Sequence, residues 1–166
     1  TIIMAQAFPA SSFVGFDYHA PSIEVARASA AKAGVADRVH FEVAAAKSFP
    51  GQGYDLVAVF DCLHDMGDPV GAAAHVKQSL KPDGTWLIKD IRSSGSFEKD
   101  RRNPMLAMFY GFSAASCLQS ALSEPGGLGL GTLGLHPERA EQLVREAGFG
   151  SFATHDFNDA ANLYYE

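Results

Sequence analysis

From Tyr54 to Asp90 the chain reads YDLVAVFDCLHDMGDPVGAAAHVKQSLKPDGTWLIKD. An unbroken apolar run, LVAVF, gives way to a short polar stretch, a helix-patterned segment over Val70–Leu80, the turn Lys81-Pro-Asp-Gly84 and a second strand-like run, TWLIKDI. An apolar run without alternation predicts a strand covered on both faces, which is what helices crossing between parallel strands supply. The order strand, helix, strand therefore points to an α/β architecture with a mainly parallel sheet. Where the first strand stops stand Asp61, His64, Asp65 and Asp68. In an open α/β sheet ligands bind outside that carboxyl edge.

The same alternation extends upstream. TIIMAQAF (1–8) reads as the body of a helix without an N-cap or a preceding strand, and SFVGFD as a short buried strand ending at Asp17. Pro21 opens a helix that Gly34 closes, in keeping with the preference for proline early and glycine late. RVHFEV (38–43) alternates as a strand does, and AAAKSFPGQG is loop. Downstream, Ser93–Asn103 is a polar loop and Pro104–Leu122 a helical stretch carrying Met105, Met108, Phe109, Tyr110 and Phe112. A glycine-rich loop, EPGGLGLGTLGLHP, leads into the helix PERAEQLVREAGF, and two short strands near GSFATHDF and ANLYYE form a closing hairpin. No repeat or interdomain linker interrupts residues 1–166, which are expected to form one domain that begins partway along its fold.

Composition narrows the function classes. With 166 residues and 47% hydrophobic content the chain can bury an ordinary globular core. No apolar stretch reaches the length of a membrane span, and no signal-peptide pattern is present, so no membrane partner is expected. Cys62 and Cys117 lack zinc or CxxC spacing and read as reduced thiols of a cytoplasmic protein. A net charge of −6 disfavours unspecific nucleic-acid binding, and the one compact basic cluster, Lys99, Arg101 and Arg102, reads as a solvated loop.

Several residues carry chemistry or merely structure. Asp17, ending a buried strand before a helix, is placed to accept both ribose hydroxyls of a nucleoside cofactor; its alternative is a helix cap. Asp61, His64 and Asp65 can grip a cation or supply a general base, or can cap the next helix as Asp68 before Pro69 does. Their spacing matches no metal motif, so no metal is expected. Gly129-Leu-Gly131-Thr-Leu-Gly134 matches GxGxxG, but no buried strand precedes it. It is expected to be a mobile loop over a pocket and not a dinucleotide fingerprint. The aromatic stretch around Phe109, Tyr110 and Phe112 reads equally as core or as substrate cover, His136 as a helix-start residue and His19 as a loop residue.

In this order the motifs resemble class I S-adenosylmethionine-dependent methyltransferases. FVGFDYH resembles the family's second strand with its ribose-binding acid, VHFEVAAAKSFP the third strand and adenine turn, YDLVAVFDCLHD the fourth strand, and LKPDGTWLIKD the turn into the fifth. FDCLHDMGDP and PGGLGLGTLG are most similar to bacterial members that carry an N-terminal winged-helix-like domain. The resemblance implies a Rossmann-like, mostly parallel sheet with a C-terminal antiparallel hairpin, S-adenosylmethionine as cofactor and methyl transfer to a small molecule. It assigns Asp17 to the ribose, Tyr18 and the Ala45–Ala46 turn to adenine, and Phe60 and Asp61 to the donor's surroundings, with His64 as base. A homodimer is compatible with the sequence.

Two departures from the family stand out. The glycine-rich loop after the first strand does not appear, and TIIMAQAF resembles the helix that follows it. The acid that bonds the adenine amino group maps to Ala45, which leaves the Ala45–Ala46 backbone, Lys47 or Ser48 to recognise that base. Without the first strand, the strands at 12–17 and 54–60 expose unpaired edges. The expectation is a longer parent protein and weak cofactor binding by these residues alone. Two alternatives are a nicotinamide-dependent oxidoreductase, which a closing hairpin disfavours, and a non-catalytic ligand-sensing or interaction module.

Overall fold

The computed structural model describes residues 1–166, which divide into two compact units, Thr1–Pro50 and Gly51–Glu166. The first unit comprises α1 (Ile2–Ala7), β1 (Phe13–Asp17), α2 (Ala20–Lys32) and β2 (Val39–Val43). β1 and β2 pair in parallel, with Phe13 opposite Val39 and Asp17 opposite Val43. Ala5, Ala30, Val35 and Val39 form its buried centre, against which Ile2, Phe13, Ala33 and Phe41 pack. Arg27 of α2 donates from Nε and Nη2 to the Phe41 carbonyl at 3.0 and 2.7 Å, tying helix to strand.

The second unit holds β3 (Tyr54–Phe60), a 3-10 turn (Leu63–Asp65), α3 (Pro69–Ser79), β4 (Leu80–Ile91), α4 (Phe97–Asp100), α5 (Leu106–Phe112), a π turn (Ser113–Cys117), α6 (Leu118–Ala121), α7 (Pro137–Glu146), β5 (Thr154–His155) and β6 (Asn162–Tyr165). Its sheet has the order β3-β4-β6-β5. β3 and β4 are parallel, whereas β4–β6 and β5–β6 are antiparallel. The expected α/β class, with parallel strands and a closing antiparallel hairpin, is thus what the chain forms.

Differences from the sequence reading have local causes. β3 pairs only with β4, so it is an edge strand, and Leu56 and Phe60 remain 42% and 49% exposed where cover on both faces was expected. The Lys81–Gly84 turn is drawn into β4 as a bulge. Tyr54 faces Leu80 while Leu56 faces Thr85, so β4 spends three more residues than β3 there. Gly84 permits this, because a Cβ at that position would stand 2.8 Å from the Tyr54 carbonyl oxygen. The helical stretch after Pro104 is broken by the π turn, and a short helix, α4, lies within the expected polar loop.

Period-2 burial along β4 organises the core of this unit. Trp86, Ile88 and Asp90 point to one side and are 4%, 2% and 0% exposed. Tyr165 of β6, opposite Ile88, is fully buried and donates its hydroxyl to the Leu135 carbonyl at 2.9 Å. Ala140, Leu143 and Val144, spaced one helical turn apart, are the buried face of α7, which packs on α3. No helix is long and apolar enough to cross a membrane.

Candidate functional site

Asp17 ends β1, and the Ala44 N–H donates to its carbonyl at 3.0 Å, so the turn after β2 begins beside it. Ala45 lies in that turn and accepts from the Ser48 N–H at 3.0 Å. The first unit therefore brings Asp17, Tyr18, Ala45 and Ala46 to the carboxyl edge of one strand pair. The Asp17 carboxylate accepts from the His19 N–H at 2.8 Å, and Tyr18 is 80% exposed. His19 itself precedes α2 and bonds Ser22 Oγ at 2.8 Å, as a loop residue would.

At the carboxyl edge of the second unit the parallel register sets Phe60 opposite Lys89, which places Asp61 and Asp90 just beyond. Asp61 leaves β3 with φ +50°, a left-handed conformation that Asp tolerates better than most residues, and so turns the chain into the Leu63–Asp65 turn. Its N–H continues the ladder to the Lys89 carbonyl at 2.9 Å, and its carboxylate pairs with the Lys89 ammonium. Asp61 Oδ1, although buried, makes no hydrogen bond within the chain.

His64 is the centre of this edge. The 3-10 turn buries it to 3% exposure, and Nδ1 meets Asp90 Oδ1 at 2.6 Å. Nε2 faces Asp65 Oδ1 at 3.3 Å. Burial disfavours the imidazolium, but the bond to Asp90 and the charges of Asp90, Asp65 and Asp61 outweigh it, so His64 titrates above 6.5. Burial raises Asp90 above 3.8 despite its bond to His64. The pair therefore retains a proton that separated groups would release. Cys62 is no nucleophile here: burial, aided by the charges of Asp90, Asp65 and Asp61, pushes its thiol up to about 11.

Neighbouring elements close around this histidine. Asp68 caps α3 by accepting from the Gly71 N–H at 2.8 Å. His64, Asp65 and Cys117 bring an imidazole nitrogen, a carboxylate oxygen and a thiol within 4.8 Å of one another. Asp65 lies against both of the others, with Oδ1 3.3 Å from His64 Nε2 and the Cys117 thiol hydrogen-bonded to its side chain. The glycine-rich loop, read as a mobile cover, is held by hydrogen bonds to this segment: Leu128 N–H to the Gly67 carbonyl at 2.9 Å and Gly131 N–H to that of His64 at 3.2 Å. In the aromatic stretch Phe109 is buried, as the core reading expects, while Tyr110 and Phe112 are about half exposed at 47% and 53%. His136 caps α7 and bonds Glu138 at 2.9 Å.

Asp90 and Lys89 escaped the sequence reading, and Gly131 entered it as part of a covering loop without its bond to His64. A signal for Asp90 was present: in TWLIKD the acid falls at the position that continues the buried row of Trp86 and Ile88. An acid on an apolar face calls for a partner.

The family model described as a methyltransferase domain matches residues 1–148. A candidate O-methyltransferase from Nostoc punctiforme PCC 73102 shares the fold with a TM-score of 0.75 and 26% identity, over 99% of this chain and 47% of that one. The S-adenosylmethionine-dependent methyltransferase SibL, in its apo form, superposes with a TM-score of 0.75 at 19% identity, over 99% and 45% of the two chains. An O-methyltransferase family protein from Burkholderia thailandensis gives 0.71 at 20% identity, over 99% and 46%. The chain thus spans about half the length of these structures. No curated protein matches it.

Proposed function

We propose, from the premise that this chain belongs to the methyltransferase-domain family, that its two units serve one domain that transfers a methyl group from S-adenosylmethionine to a small-molecule hydroxyl. A single family model running across both units supports the first part. The buried His64–Asp90 pair at the carboxyl edge of β3 and β4 carries the second.

Methyl transfer is an in-line displacement at a carbon already activated by the sulfonium, so alignment is most of the task and positioning can supply roughly 7–11 kcal/mol. A hydroxyl acceptor must also lose its proton, and a base is needed for that step. Asp90 fixes the ring of His64 through Nδ1, leaving Nε2 as the atom that takes the proton, and the nearby carboxylates favour the imidazolium that results. Asp17 accepts the ribose hydroxyls, Tyr18 and the Ala45–Ala46 turn face adenine, and Phe60 and Asp61 border the donor. In this reading the protein acts in the cytoplasm on a small acceptor, with a homodimer compatible.

The test is transfer of isotopically labelled methyl from S-adenosylmethionine to a panel of small phenols, with the protein at full natural length. His64→Ala should lower turnover by roughly 10²–10⁴-fold while leaving cofactor affinity nearly unchanged. Turnover equal to that of the unaltered protein removes His64 from the mechanism.

A further inference from the structure

We propose that Gly131 is a positioning residue for His64, allowing the loop of residues 126–134 to close a main-chain clasp on the histidine's own carbonyl. The inference takes His64 as the base of the reading above, but it rests on contacts that reading does not use. Gly131 N–H donates to the His64 carbonyl at 3.2 Å and Leu128 N–H to the Gly67 carbonyl at 2.9 Å, so the loop holds both ends of the His64–Gly67 segment. A third bond, from Thr132 N–H to Ser113 Oγ at 3.3 Å, ties the same loop to the first residue of the π turn. The last residue of that turn, Cys117, presents its thiol to Asp65. The loop thus bridges the two elements that flank the imidazole.

Only glycine serves at position 131. Its φ is +65°, in the left-handed region, and a Cβ there would stand 2.5 Å from Ser113 Oγ. A side chain there must displace Ser113 Oγ, the acceptor of the Thr132 N–H, or rotate the peptide that reaches His64. The orientation of His64 depends on that peptide. Its imidazole is held by Asp90 at 2.6 Å, with Asp65 Oδ1 3.3 Å from the other ring nitrogen, and a bond so short tolerates little displacement. Rigid support of this kind keeps a reactive group within about 0.5 Å of its working position. The GxGxxG spacing in this chain is accordingly a clasp on a histidine and not a phosphate cradle.

Ring-nitrogen NMR of His64 and amide exchange, both on the protein at full natural length, test the proposal without requiring methyl transfer. Gly131→Ala should speed exchange of the Leu128 amide roughly fivefold and move the His64 titration midpoint down towards that of an ordinary histidine. Ser113→Ala, which removes the acceptor of Thr132 without straining the backbone, should do the same to a smaller degree. Gly126→Ala is the control: it has an equally left-handed φ of +78° with no atom within 4 Å of the added Cβ, and should leave His64 unmoved. A wild-type His64 midpoint in Gly131→Ala, or an equal shift in Gly126→Ala, overturns the proposal. Should Gly131→Ala not fold, Ser113→Ala decides alone, and an unmoved midpoint there overturns it. Loss of the base assignment through His64→Ala would leave these outcomes untouched.

Discussion

Nδ1 of His64 and Oδ1 of Asp90 lie 2.6 Å apart with both side chains withdrawn from water, at 3% and 0% exposure. The two groups come from segments 26 positions apart, and the parallel register of β3 and β4 brings them together. Replacing Asp90 by Asn keeps the shape but removes the charge that holds the imidazolium. Burial then acts with less opposition, and the His64 midpoint should fall. A ring-nitrogen titration reads this directly, and an unmoved midpoint would show that Asp90 does not control the histidine.

The same pair sets the sign of a pH effect on stability. The groups facing His64 are Asp61 and Asp65 from its own loop, Asp90 from β4 and, through Asp65, Cys117 from the π turn. Between 6.5 and its raised folded value the native state holds a proton on His64 that the unfolded chain has released. That stabilisation is complete below 6.5 and disappears as pH rises through the folded value. Raised Asp90 acts with the same sign from 3.8 upward. Melting temperature should therefore decline from mildly acidic to mildly alkaline solution, and the decline should flatten in Asp90→Asn.

Much of this arrangement was legible in the sequence, and the remainder was hidden for physical reasons. Apolar runs and turn residues marked β1, β2, β3, α3, α7 and the closing hairpin, because strand and helix periods and Gly/Pro punctuation are local properties. The cap at Asp68 was equally local. The exposure of Leu56 and Phe60 was not, since it depends on which strands flank β3. Nor was the bond between Gly131 and His64, which joins segments far apart in sequence through backbone atoms that carry no side-chain signature. The π turn was invisible because its residues, Ser113–Cys117, are compatible with ordinary helix.

Tyr165 tests the core beneath the site. Its hydroxyl donates to the Leu135 carbonyl, and its ring stacks on Phe152 with centroids 5.5 Å apart. Tyr165→Phe should lower unfolding free energy by about 1 kcal/mol, through loss of one buried hydrogen bond. Tyr165→Ala should lower it by about 3–5 kcal/mol, through the cavity it leaves. Urea unfolding of both variants gives the comparison, and equal losses would contradict the account of the packing.

Asp68 offers a smaller and more local test. With its side chain accepting from the Gly71 N–H and Pro69 next in the chain, it starts α3. Asp68→Ala should reduce stability by about 1 kcal/mol and Asp68→Ser by only a few tenths. Denaturant midpoints distinguish the two, and an Ala variant as stable as wild type would mean that the cap contributes nothing.

Asp17 bears on the central claim, that this chain forms part of an S-adenosylmethionine site. Two ribose hydroxyls donated to one carboxylate are charge-assisted bonds worth about 1.5–3 kcal/mol each. Calorimetric titration of S-adenosylmethionine into the protein at full natural length is the most direct measurement. The account predicts saturable binding that Asp17→Ala weakens roughly 10²–10⁴-fold without loss of folding. Absence of binding by the unaltered protein, or binding that Asp17→Ala leaves unchanged, would contradict it.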